Sequence, residues 1–167
     1  MKLKPDYYYD SIFEIPYPQL YELGLRGLIF DIDNTLAGYE NIQPPVKTLS
    51  LIYDLKQMGF QVGLLSNNGA KRVDAFNAEL GLPSSASSAK PFTKALARIM
   101  REMNVSQGEC AIIGDQILSD IWCGKNAGIA TILVKPVTEH EVITVRIKAV
   151  LENRLRKRYL SGHTNPL

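Results

Sequence analysis

The sequence predicts a three-layer α/β fold around one central parallel sheet, and three observations carry that expectation. Apolar runs at 27–31, 60–65, 110–114 and 130–134 alternate with segments whose apolar residues recur at helical spacing, the pattern of strands joined by crossover helices. With 167 residues and 46% hydrophobic content, the chain can bury the core of one domain but not of two. Three of the four apolar runs lead directly into polar or acidic residues, and in a parallel sheet such strand ends share one edge.

Taken in order, the elements begin with an aromatic segment, residues 1–25, where Tyr7, Tyr8, Tyr9, Phe13, Tyr17 and Tyr21 are expected to pack on the core. Gly27-Leu28-Ile29-Phe30 is a buried strand. Pro44 and Pro45 open a helix carrying Leu51, Ile52, Leu55 and Met58, and Gly59 closes it. After the strand Phe60 to Leu65, a second helix presents Val73, Phe76 and Leu80 and stops at Gly81. A short fifth strand is expected at 85–89, then a third helix with the stripe Phe92, Leu96, Ile99 and Met103. Past the strands at 110–114 and 130–134, Glu141 to Tyr159 reads as a helix with Ile143, Ile147, Leu151 and Leu155 every four residues. The expected organisation is a domain at 26–160, preceded by the aromatic segment and followed by a polar, disordered tail at 161–167.

Composition narrows the function classes. The net charge of +2 hides a basic cluster near the end, Arg146, Lys148, Arg154, Arg156, Lys157 and Arg158, set against Glu152. Aromatic residues are not interleaved with it, so no nucleic-acid partner is expected. Arg26 interrupts the best early apolar stretch before spanning length, and no basic-then-apolar leader opens the chain. Cys110 and Cys123 read as buried, reduced thiols, which fits a cytoplasmic protein. Neither repeats nor low-complexity tracts are visible.

The most informative stretch is Asp31-Ile32-Asp33-Asn34-Thr35-Leu36, directly behind the first strand. In a strand, residues i and i+2 face one side, so Asp31 and Asp33 should project together. Two adjacent carboxylates repel unless a cation or a proton lies between them, which points to a metal site or an acid/base pair. The alternative is an ordinary turn completed by Asn34 and Gly38. Three later segments favour the chemical reading: Ser66-Asn67-Asn68 after the second strand, Lys90-Pro91, and Gly114-Asp115 with Asp120 after the strand at 110–114. On a parallel sheet they converge on one crevice.

In order and spacing, these four segments resemble the haloacid dehalogenase-like (HAD) phosphohydrolases, over residues 26–136. The wording DIDNTL, SNN and GDxxxxD is most similar to the capless subclass IIIA, YqeG-type branch, some of whose relatives dephosphorylate phosphatidylglycerophosphate. The resemblance implies a Rossmann-like fold and a phosphatase in which Asp31 is the nucleophile. Asp33 would be the acid and base, and the carboxyl with the tuned pKa. It implies Mg²⁺ held by the side chains of Asp31 and Asp115 and the carbonyl of Asp33, with Asp120 as ligand or orienter. Ser66 would donate to a phosphoryl oxygen, aided by the Asn67 amide. Lys90 would supply positive charge, and Thr35 would fix the motif loop.

Residues 37–45 are too few for a lid domain, so the site should be open, suited to a bulky substrate such as phosphatidylglycerophosphate or to completion by a partner surface. A soluble sugar phosphate or nucleotide under a neighbouring subunit's lid is the alternative, and a phospho-accepting signalling module is the rival from another class. Asp33 argues against the signalling module, which needs no general acid. Asn34, Asn68 and Gln116 have no defined role; Trp122 is expected to pack, and His140 and His163 to lie on the surface. Arg154, Arg156, Lys157 and Arg158 suggest peripheral contact with an anionic membrane, against the plainer reading that they complement the helix end and keep the surface soluble.

Overall fold

The computed structural model describes residues 3–138 and 146–160. In chain order its elements are β1 (Tyr7–Tyr9), α1 (Tyr17–Glu22), β2 (Gly27–Phe30), α2 (Val46–Gln57), β3 (Gln61–Leu65) and α3 (Ala70–Asn77). There follow β4 (Ser84–Ser85), α4 (Lys94–Glu102), β5 (Cys110–Gly114), α5 (Trp122–Ala127), β6 (Ala130–Val134) and α6 (Arg146–Leu160). The strands form one parallel sheet in the order β1-β6-β5-β2-β3-β4.

Strand alternation divides the core into two faces. Leu28 and Phe30 of β2, Leu64 of β3 and Ile113 of β5 join Leu20, Ile52, Leu55, Val73 and Phe76, so α1, α2 and α3 cover one side. Ile29, Leu65 and Ile112 point the other way and meet Leu96, Ile99 and Met103 of the α4 region and Cys123 of α5. Both faces of the central strands are buried, which is why β2 and β5 read as continuous apolar runs rather than alternating ones. After β2 the chain builds outward through β3 and β4, then crosses back so that β5 lies on the other side of β2. That reversal opens a crevice at the carboxyl ends of β2 and β5.

Several elements differ from expectation. Tyr7–Tyr9 is an edge strand on β6, pinned where Asp6 accepts from the Thr131 N–H, at 2.9 Å, and from its hydroxyl, at 2.8 Å. The fifth strand is only Ser84–Ser85, because Ser87 (φ 45°) and Ala89 (φ 56°) enter the left-handed region, which ends pairing. Phe92 precedes α4 and is 73% exposed, so it is not part of that helix's core stripe, and Met58 at the end of α2 is 42% exposed. Of the last apolar stripe, Leu155 packs on Ile117, Ile121 and Leu133 while Leu151 is exposed. Ile143, His140, His163 and the tail at 161–167 lie outside the described residues.

Leu64 is fully buried beneath α2 and α3, so Leu64→Ala is expected to lower the unfolding free energy by about 2–5 kcal/mol. Tyr53→Ala, at a surface position, should change it by less than about 0.5 kcal/mol. Paired denaturant melts check the contrast.

Candidate active site

The crevice holds a cleft of about 330 Å³ lined by Asp31, Asp33, Tyr39, Ser66, Asn67, Asn68, Lys90, Gln116, Ser119 and Asp120. Asp31 stands one residue past β2, its N–H bonded to Ile113 O at 2.9 Å, so β5 fixes its height. The Lys90 ammonium donates to Asp31 Oδ1 at 2.5 Å and to Leu65 O at 2.7 Å, and forms an ion pair with Asp120 Oδ1 at 2.7 Å. Its backbone is held in turn, because Asn67 Oδ1 accepts from Lys90 N at 2.8 Å and from the Ser88 hydroxyl at 2.9 Å. The side chain of Asn67 thus fastens the lysine segment, a task the sequence did not reveal. Ser66 Oγ accepts from Asn68 N at 3.1 Å, and Thr35 Oγ1 lies 3.5 Å from Asp115 Oδ1.

Asp115 and Asp120 are placed by the turn after β5. Asp120 Oδ2 accepts from Gln116 N at 3.0 Å, folding the side chain back over Gly114. A Cβ at Gly114 would lie 2.3 Å from the Asp120 carboxyl, so the close approach requires glycine there. Asp31, Asp115 and Asp120 thereby bring carboxylate oxygens within 4.8 Å of one another, an arrangement able to hold a divalent cation. Burial first, and then the neighbouring carboxylates against the opposing pull of Lys90, pushes Asp31 up to about 7. Asp115 is driven well above the usual carboxylate range by burial and by Asp120 and Asp31. Burial pulls Lys90 down, but Asp120 and Asp31 outweigh it and the ammonium is held more firmly than usual. Three carboxylates gather beside the Lys90 ammonium, with Arg156 also acting on Asp115, and hard oxygen donors suit a divalent ion.

Asp33 reaches the cleft by a different backbone path from Asp31. Strand pairing ends at Phe30 and the chain turns, with the N–H groups of Leu36 and Ala37 on Ile32 O and Asn34 in the left-handed region (φ 63°). Asp33 nevertheless lines the same cleft as Asp31, with its side chain outside the trio of Asp31, Asp115 and Asp120. It is buried against α3, accepting from Asn68 Nδ2 at 2.7 Å and from Arg72 Nε at 3.1 Å. Sequence reasoning missed Arg72, although an arginine one turn into the helix behind Ser66-Asn67-Asn68 faces the same edge.

Two further contributions were not anticipated. Glu152 of α6 accepts from the N–H groups of Ile117, at 2.5 Å, and Leu118, at 3.1 Å, and Arg156 donates to the Asp115 carbonyl, so the last described helix clasps the acidic turn. Arg156 is therefore not a free surface charge, whereas Arg154, Lys157 and Arg158 are exposed. Tyr39, pushed up to about 12 by burial and then by Asp115, Asp31, Asp33 and Asp120, keeps its phenolic proton as a donor at the cleft. Cys110 and Cys123 are buried free thiols, each pushed up to about 12, first by burial, and inert as nucleophiles. No helix among the described residues is long and apolar enough to cross a membrane.

A family profile described as HAD-hydrolase-like matches residues 88–150. Over 151 residues the chain is 34% identical to "Probable phosphatase YqeG" of Bacillus subtilis, covering 90% of this chain and 88% of that protein. The chain belongs to the HAD-like phosphohydrolases. A more distant relative is phosphatidylglycerophosphate phosphatase 1, chloroplastic/mitochondrial, of Arabidopsis thaliana, 23% identical; the match covers 86% of this chain and 44% of that longer protein. In fold, the cobalt-bound deoxy-D-mannose-octulosonate 8-phosphate phosphatase of Haemophilus influenzae superposes with a TM-score of 0.55 at 18% identity, over 82% of this chain and 87% of that one.

Asp31 and Asp115 hold protons more tightly folded than unfolded, so across the interval from about pH 4 to about 7 the folded chain binds more protons and its stability falls as pH rises. In chelator, thermal melts should therefore show a higher midpoint near pH 6 than near pH 8. Asp31→Asn should shrink that difference, since one of the two groups responsible is removed.

Proposed function

We propose that the chain hydrolyses phosphomonoesters through an aspartyl-phosphate intermediate with Mg²⁺, and that its substrate is phosphatidylglycerophosphate. The observation that carries the chemistry is the Lys90 ammonium 2.5 Å from Asp31 and 2.7 Å from Asp120 at the topological switch of the sheet. Asp31 Oδ attacks phosphorus as the bond to the leaving oxygen breaks, and that oxygen takes its electron pair and a proton from Asp33. Water then attacks the phosphorus of the acyl phosphate and gives a proton to Asp33, which releases inorganic phosphate and restores the Asp31 carboxylate. Ser66 and Lys90 line the position of the phosphoryl oxygens, Asn67 backs Lys90 and offers its amide there, and Thr35 steadies Asp115. The side chains of Asp31, Asp115 and Asp120 and the Asp33 carbonyl would hold Mg²⁺, whose chemistry is to offset the charge gathered between nucleophile and phosphate.

In this reading 26–160 is the catalytic domain and 1–25 a segment that completes its sheet edge. The lipid substrate is supported by the plant relative's name, by an open cleft with no helix or strand between Ala37 and Pro45, and by exposed Arg154, Lys157 and Arg158 on α6. Each basic residue near an anionic surface is worth on the order of 1 kcal/mol, enough together for peripheral binding of a cytoplasmic enzyme. A sugar phosphate or nucleotide is the competing substrate class, and a long-lived phosphoprotein the competing outcome.

Phosphate release from phosphatidylglycerophosphate in mixed micelles is expected to exceed that from sugar phosphates and nucleotides and to vanish in chelator. Asp31→Asn and Asp115→Ala should each reduce it by about 100-fold or more. Full activity of Asp31→Asn would overturn the aspartyl-phosphate route. A preference for soluble esters would overturn the lipid assignment.

Co-sedimentation with anionic vesicles should be strong at low salt and should weaken both at moderate salt and on charge reversal of Arg154, Lys157 and Arg158. Activity on a soluble phosphate should persist in that variant, because none of the three lines the cleft.

A further inference from the structure

We propose that Arg72 is a positioning residue that aims the Asp33 carboxyl at the leaving oxygen, an inference that rests on the acid/base reading of Asp33. The contact is built rather than incidental. Arg72 Nε and Nη2 lie 3.1 and 3.0 Å from Asp33 Oδ1, while Asn68 Nδ2 lies 2.7 Å from Oδ2. Each oxygen has its own donor, so the carboxyl plane is fixed against rotation. The ion pair is largely buried, its side chains 18% and 7% exposed, where removing one partner strands the other's charge.

The guanidinium is itself held in place. Arg72 Nη1 donates to Ile42 O at 3.1 Å, and the guanidinium carbon stands 5.3 Å from the centre of the Phe76 ring. Asp33 is thus referenced to α3, which carries Arg72 and Phe76, and to the short connection at 37–45 that takes the place of a lid. None of the bonded nitrogens can accept a proton, so the proton that Asp33 gives and takes is exchanged on the side facing the cleft, which Asp33 lines. Arg72 does not itself line the cleft, and it acts on the reaction through Asp33.

The readout is leaving-group dependence of kcat/KM, which reports the step in which the P–O bond breaks. An alkyl phosphate needs its leaving oxygen protonated, whereas p-nitrophenyl phosphate leaves with little help. General acid catalysis contributes about 10²–10⁴-fold, so misaiming the acid in Arg72→Gln should lower kcat/KM for glycerol phosphate about tenfold more than for p-nitrophenyl phosphate. Arg72→Lys, which keeps the charge but not the fork, should recover part of the loss. An equal fall for both esters in soluble Arg72→Gln, with its melting transition retained, would overturn the inference and leave a purely structural pair. A rise in KM alone, equal for both, would overturn it in favour of an anion-binding arginine. Asp33→Asn is the control for the underlying reading: if it shows no selective loss on the alkyl ester, Asp33 is not the acid. If it shows that loss while Arg72→Gln does not, only the role of Arg72 falls.

Discussion

The site is organised around one buried ammonium. Lys90 stands among Asp31, Asp120 and the Leu65 carbonyl, and each contact constrains a different strand end: β2, the turn after β5, and β3. Such a cluster is stable only when it is complete, because a buried carboxylate without its partner costs several kcal/mol. The carboxylates of the trio outnumber this cation, and the surplus appears as the raised pKa values of Asp31 and Asp115. That surplus of negative charge suits a divalent cation, which would lower the repulsion among the carboxylates.

Geometry at that level depends on the sheet. Because β2 lies between β3 and β5, with connections leaving in opposite directions, the ends of the two central strands are left uncovered by either crossover. Gly114 then lets Asp120 fold onto the strand end, and left-handed residues at Ser87 and Ala89 bring Lys90 back into the crevice instead of letting the chain continue as strand. Such backbone conformations are unfavourable for non-glycine residues by about 1 kcal/mol or more each, and the Asn67 bonds to Lys90 and Ser88 help to offset that.

How much of this was legible follows from which interactions are local. The runs that became β2, β3, β5 and β6 announce themselves because strands buried on both faces need unbroken apolar sequence. Asp31, Ser66, Lys90 and Asp115 could be placed because strand ends share an edge. Asp33 also reaches the cleft, but what holds its carboxyl, Asn68 and Arg72, could not be read from a period-two rule. Arg72, Glu152 and Arg156 were missed because their partners are 34 to 41 residues away or more, and nothing in a helical pattern says which charged residue reaches a strand end. Tyr7–Tyr9 was hidden for a related reason: an edge strand three residues long has no periodicity to read, and what fixes it is Asp6 meeting Thr131 across the chain.

Two helices link these observations. Among the described residues, Asp33 and the acidic turn are oriented from the core itself. α3 holds Asp33 through Arg72, and α6 holds the turn through Glu152 and Arg156. The α6 clasp also divides a basic helix in two. Arg156 faces inward to the Asp115 carbonyl, while Arg154, Lys157 and Arg158 remain outside. The exposed charges and the clasp on the acidic turn thus belong to one helix, α6.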